Sequence, residues 1–168
     1  MSLGSGGGVG TSEVAFWLPD EVPFGALSNL YPRAIRFDGV DYKTAEHAYK
    51  AAQARRPEVK KWLADAPTAE LVAIAGGGLP VGETVHGWDE QRLVVMQRVL
   101  SAKFRQHTDL RALLLSTGER TIVELAPDDD AINRFWSRVA GSAIGENWLG
   151  RLLMELRMKL QLGMPEGE

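Results

Sequence analysis

Residues 42–54 read Tyr-Lys-Thr-Ala-Glu-His-Ala-Tyr-Lys-Ala-Ala-Gln-Ala, and no other stretch limits the fold as strongly. Thr44 stands where a helix N-cap belongs, and Ala45, Ala48, Tyr49 and Ala52 recur at helical spacing. A helix whose inward face is mostly alanine is thin, so its neighbours must come close to bury it. Glu46 falls in the first turn, where the helix dipole favours a carboxylate, and Lys50 follows one turn later on the same face. His47 and Tyr49 flank them. If that end of the helix is buried, Glu46 points into a cleft rather than into water.

The remaining chain supplies elements to surround this helix. Residues 14–18 predict a short buried strand, and residues 34–42 alternate around Asp38-Gly39, a strong hairpin pattern. Between them, Phe24, Leu27, Leu30 and Tyr31 anchor a loop rich in turn formers. Ser28 and Asn29 on that loop are either turn residues or hydrogen-bonding groups held in place by the packing. Pro57 opens a second helix, and Thr68 caps a third that runs to Ala75. The following Gly76-Gly77-Gly78 reads as a flexible linker, because a phosphate loop would follow a strand and precede Lys-Ser/Thr. The longest helix spans about 89–106, with Leu93, Met96, Leu100 and Phe104 as its apolar stripe and Lys103 at the stripe's edge. Thr108 or Asp109 caps a short helix that closes with Gly118 in the left-handed position. Residues 121–125 predict a strand leading into the acidic turn Asp128-Asp129-Asp130. Residues 131–144 match no single pattern. A final helix carries Leu149, Leu152, Leu153, Leu156 and Leu160 on one face, and Gly150 in its first turn implies close backbone approach to another helix or a ligand. Residues 1–12 are expected to be a disordered Gly/Ser-rich tail, residues 13–162 the domain and 163–168 a loose end. The expectation is one compact α+β domain, predominantly helical, with a small β-hairpin and sheet.

Composition removes whole classes of chemistry. With no cysteine there is no thiolate nucleophile, disulfide or thiolate metal site, and His47, His86 and His107 show no metal-ligand spacing. Neither a metal nor a cofactor is expected. No apolar run reaches transmembrane length and no signal peptide is evident, so a cytoplasmic protein without membrane contact is expected. The net charge of −3 gives no general attraction to nucleic acid, although Arg33, Arg36, Lys50, Arg55 and Lys103 would offer a local basic groove if they cluster. What remains are carboxylates (Glu46, Asp89, Glu124 and the 128–130 trio), one lysine beside an apolar stripe and five tryptophans. Carboxylates against aromatic walls suit an oxocarbenium-like transition state, as in cleavage of a glycosidic bond.

Several short motifs then occur in order. They are Pro23-Phe24-Gly25-x-Leu27-Ser28-Asn29-Leu30, Tyr42-x-Thr44-x-Glu46-His47-x-Tyr49, and Trp88-Asp89 followed by Met96 and Lys103-Phe104. Leu114-Leu115-x-Thr117-Gly118, Val123-Glu124 and Gly145-x-Asn147-x-Leu149-Gly150 complete the series. From about residue 15 to 158 the chain resembles the NADAR (YbiA-like) family. That resemblance implies an N-glycosidase that breaks a ribose C1–N bond. The substrate would be a phosphoribosylamino-pyrimidine of riboflavin biosynthesis or the ADP-ribosylated guanine of a nucleic acid. It implies Glu46 as the principal catalytic group, Lys103 holding phosphate or capturing the opened sugar, and Ser28 and Asn29 on ribose or base. His47, Tyr49, Trp88, Asp89, Glu124, Trp136 and Asn147 would line the same cleft. The family's Asp-x-x-Trp-Gly is altered here, since Trp136 lies six residues beyond Asp130 and Ser137 replaces glycine. Asp129 is assigned as the equivalent acid from its distance to Glu124. The alternative reading is a non-catalytic module that binds ADP-ribose or an NAD-related nucleotide. Oligomeric state is not legible.

Overall fold

The computed structural model describes residues 12–165, so most of the expected N-terminal tail and the last residues of the expected C-terminal end lie outside the described residues. The chain begins with β1 (Val14–Phe16) and a packed loop whose Gly25–Leu27 segment forms a single 3-10 turn. β2 (Ile35–Phe37) and β3 (Val40–Tyr42) pair antiparallel across Asp38 and Gly39, whose φ angles of 48° and 79° are what a type I′ turn requires. The hairpin hands the chain to α1 (Ala45–Gln53), where Thr44 Oγ1 accepts a hydrogen bond from the His47 backbone N–H.

α1 is the centre of the molecule. Ala45, Ala48 and Ala51 are fully buried, and their small side chains let α2 (Pro57–Ala64), α3 (Ala69–Gly77) and α4 (Trp88–Gln106) pack against it from several sides. α3 departs from the sequence expectation. It continues through Gly76 and Gly77, with Gly78 as its C-cap, so the glycine run is helix rather than linker. α5 (Thr108–Ser116) starts one residue earlier than expected, after His107, whose ring Nε2 bonds the Ala34 carbonyl oxygen instead of capping the helix. Gly118 then takes the left-handed conformation.

β4 (Ile122–Ala126) is the middle strand of a parallel sheet, between β1 and β5 (Arg138–Val139). The segment that matched no pattern holds most of the crossover from β4 to β5 and then β5 itself. It contains α6 (Ala131–Trp136), started by Asp130, whose carboxylate accepts from the Ile132 and Asn133 backbone N–H groups. α7 (Trp148–Gln161) closes the fold, burying Leu149, Leu152, Leu153, Leu156 and Leu160. A Cβ on Gly150 would stand 2.2 Å from the Ile122 carbonyl oxygen, so the close approach is to strand β4, neither a helix nor a ligand. The result is the predominantly helical α+β domain expected. Among the described residues no helix is long and apolar enough to cross a membrane.

Candidate active site

A cleft of about 300 Å³ opens between α1, α3, α6, β4 and the packed loop after β1. A roomier hollow of about 400 Å³ lies between α4, α7 and the hairpin, but Asp38 is the lone carboxylate on its wall. The smaller cleft holds the chemistry. Its first wall is one face of α1, where Glu46, Tyr49 and Lys50 project together at spacings of three and four residues. Burial raises the Glu46 carboxyl above its usual range, and the Lys50 ammonium, 3.8 Å away, partly opposes this. Burial also raises the Tyr49 phenol, which stays protonated, and its ring packs edge-on against Trp136 with centroids 5.6 Å apart.

Glu124 of β4 forms the second wall. Ser137 Oγ donates to its Oε2 at 2.6 Å, yet burial, aided by the charge on Glu46, pushes Glu124 up to about 7. The residue that departs from the family pattern is thus the hydrogen-bond partner of a cleft carboxylate. Ser28 and Asn29 form the floor. Asn29 Nδ2 donates to Met96 Sδ at 3.2 Å, and its buried Oδ1 has no partner, which leaves an acceptor for a substrate N–H or O–H. Trp17 and Trp136, two of the five tryptophans, complete the walls, and Glu70, Ala73, Ile74 and Gly77 of α3 form the rim.

The remaining site residues expected from the sequence act elsewhere. Lys103 is buried beneath the loop, and its Nζ donates to the Ala26 and Ser28 carbonyl oxygens, both at 2.7 Å. Burial, with a smaller push from Arg33, lowers it to about 7. It does not line the cleft; it holds the loop that presents Ser28 and Asn29. Asn147 likewise works from behind. With φ of 53°, it donates from Nδ2 to the Ile122 carbonyl oxygen and accepts at Oδ1 from the Glu124 backbone N–H, clamping β4 on both sides of Val123. Gly145 lets the chain pass Ser137, whose carbonyl oxygen a Cβ there would meet at 2.2 Å.

His47 does not line the cleft; its ring is turned away, held by Thr44 Oγ1 at 2.8 Å and the Ala66 carbonyl oxygen at 3.1 Å. Trp88 stands behind Tyr49, with centroids 5.3 Å apart, and Asp89 is exposed beside Arg92. Asp129 is on the surface, where the Arg134 guanidinium holds its carboxyl below the usual range. Replacing it should therefore matter little. Asp129→Asn is expected to keep kcat/KM within about twofold of wild type and to leave the denaturation midpoint essentially where it was. A steady-state assay and a denaturant titration check this, and a tenfold loss of turnover would put Asp129 back in the site.

Lys50, expected on the Glu46 face and in a basic groove but not among the site residues, lines the cleft. Of the five residues of the expected basic groove, Lys50 and Lys103 are buried, Arg33 pairs with Asp109, Arg36 pairs with Asp41, and Arg55 is exposed. Among the described residues, no group of three or more His, Asp and Glu side chains is placed to hold a metal ion.

Comparison with known proteins agrees with this architecture. The chain is 33% identical to the N-glycosidase YbiA of Escherichia coli over 143 residues, 83% of each protein. It is 31% identical over 142 residues to an N-glycosidase of Nostoc punctiforme, covering 83% of this chain and 87% of that one. A riboflavin biosynthesis protein of Vibrio vulnificus is 31% identical over 152 residues, covering 90% of this chain but 40% of that longer protein. The NMR structure of Escherichia coli YbiA superposes with a TM-score of 0.78 at 29% identity, covering 91% of this chain and 87% of that one. The NADAR domain profile matches residues 15–161, and the chain belongs to the NADAR domain family.

Proposed function

We propose that this chain is an N-glycosidase that hydrolyses a ribose C1–N bond, with Glu46 and Glu124 as its working pair. The observation that carries the reading is the pairing of two largely buried carboxylates, on α1 and β4, that face one cleft in different electrostatic surroundings. Burial raises both carboxyls, but Lys50 opposes the rise at Glu46, whereas at Glu124 the Glu46 charge adds to it, so that Glu124 holds its proton up to about 7. Unequal environments of this kind set one carboxyl to act as an anion and the other as an acid.

As the C1–N bond lengthens, positive charge spreads over C1 and the ring oxygen, and the Glu46 carboxylate stabilises it. Glu124 delivers its proton to the departing nitrogen, so the base leaves neutral. Water then bonds to C1 and gives a proton to Glu46. Exchange with solvent returns one proton to Glu124 and removes one from Glu46. The two carboxylates supply charge and proton without a metal. Trp17 and Trp136 offer stacking faces for a flat base, and Asn29 Oδ1 reads a donor on base or sugar. The substrate class favoured is the phosphoribosylamino-pyrimidine of riboflavin biosynthesis, with ADP-ribosylated guanine as the second member of the class.

Mass spectrometry of reactions with each substrate tests this. Free pyrimidine and ribose phosphate, or ADP-ribose released from modified guanine, is expected; saturable binding with no product from either would leave a nucleotide-binding module. The pH profile is a second test. Glu124 must be protonated to act, so kcat/KM should fall as pH rises through about 7. In Glu124→Gln that alkaline limb should vanish and the remaining rate should be about 10²-fold lower. A limb that persists unchanged in the variant would assign the acid to another group. The same titration acts on stability. Because the folded pKa is raised, this contribution is full below the unfolded value and is lost as pH rises through about 7.

A further inference from the structure

We infer that Gly76 is a positioning residue: its missing side chain forms the slot through which Lys50 crosses α3 to place its ammonium beside Glu46. A Cβ built on Gly76 would stand 2.5 Å from Lys50 Cδ, 2.9 Å from Cγ and 3.1 Å from Cβ. Real Cβ atoms do not approach as closely as the first two of these distances, so any larger residue must displace the stem. The stem has little room to yield. Lys50 is 9% exposed, with Nζ fixed between Glu46 at 3.8 Å and the Tyr49 ring at 5.4 Å from its centroid.

The backbone offers no competing reason for glycine at this position. Gly76 lies inside α3, and it is absent from the described glycines with positive φ, which are Gly39, Gly87, Gly118, Gly141, Gly145 and Gly163. Glycine in a helix interior is disfavoured relative to alanine. A Cβ on its neighbour Gly77 would make only an ordinary van der Waals contact, with Ile132 Cδ1 at 3.8 Å, so within the Gly76–Gly78 run tight packing is specific to position 76. The glycine run therefore divides by role. Gly78 caps the helix, and Gly76 accommodates the lysine.

The inference rests on the proposed pairing of Lys50 with Glu46, and its test does not depend on turnover. The Glu46 carboxyl carbon is titrated by NMR in wild type, Gly76→Ala, Lys50→Ala and the double variant. Displacing the ammonium removes what opposes the burial effect on Glu46. Gly76→Ala should therefore move the Glu46 midpoint upward in the Lys50 background. In the Lys50→Ala background it should cause no further movement and should raise the melting temperature, as alanine does in an unobstructed helix. If Gly76→Ala alone fails to fold while the double variant folds, the clash with the lysine stem is established directly. An unmoved midpoint in Gly76→Ala, equal shifts in both backgrounds, or a double variant that also fails to fold would overturn the assignment. Where wild type turns over substrate, the loss of kcat/KM in Gly76→Ala should likewise vanish once Lys50 is alanine. A wild type inert on every N-riboside would refute the glycosidase reading and leave the titration result standing.

Discussion

Glu46→Gln is expected to lower kcat by about 10³-fold or more while leaving the chain folded. The amide keeps the size and shape of the side chain but removes the charge that stabilises the cationic sugar, which corresponds to about 4 kcal/mol of the barrier. Two effects on stability oppose each other. A neutral amide is easier to bury than a carboxylate, whereas Lys50 loses its partner and keeps only its slot against α3 and the Tyr49 ring. Product release followed by chromatography, with circular dichroism and a thermal melt on the same sample, gives the answer. A folded variant that retains a tenth of wild-type turnover would end the case for Glu46. Because the Glu46 charge helps to raise Glu124, the variant should also show a lower titration midpoint for the Glu124 carboxyl.

A large effect on the fold itself is expected from Gly150→Ala. The added methyl would lie 2.2 Å from the Ile122 carbonyl oxygen and 2.4 Å from Asn147 Nδ2, both parts of the strand clamp. Backbone on one side and a doubly bonded side chain on the other cannot rotate away, so α7 must move off β4. We expect a loss of about 3 kcal/mol or more, and a Tm lower by roughly 6–12 °C. Turnover should fall with it, since Glu124 rides on the displaced strand. Gly77→Ala provides the contrast, because its nearest contact is ordinary van der Waals distance and helix propensity favours alanine. Equal melting temperatures for the two variants would show that α7 can yield at no cost.

The parts of the fold that were legible in the sequence are those fixed by local chemistry. Asp38-Gly39 set the hairpin, Thr44 the start of α1, and the leucine stripe the buried face of α7, each within a few residues. The site was legible to the extent that helix geometry could carry it. Glu46 marked the face, and Lys50 could have been added from the same four-residue spacing. His47 shows the limit of reading a motif residue by residue: adjacent to Glu46 in the chain, it points about 100° around the helix and bonds Thr44 and Ala66. Asn147 and Lys103 were marked as important, but their partners lie 23 to 77 residues away in the chain, a distance that no local pattern reports. Asp129 was assigned by counting from Glu124, and the count failed because Asp130 starts α6 and turns the acidic run outward. Gly76 read as linker for the opposite reason. Its partner is a lysine stem on another helix, which leaves no trace in the spacing of the glycines.

The parallel pairing of β1 with β4 also decides when activity can first arise. Val14 is hydrogen-bonded beside Ile122, and the clamp on that strand is not complete until Asn147 and Gly150 have been added. The helices around α1 come from neighbouring stretches of chain and can associate early, whereas closing the sheet must await residues 147–150. A ribosome releasing the chain early would leave Glu46 on a helical fragment with no opposite wall. Catalytic competence in this protein therefore waits on residues 147–150, and chains cut before them should accumulate as partly folded chains rather than as slow enzymes.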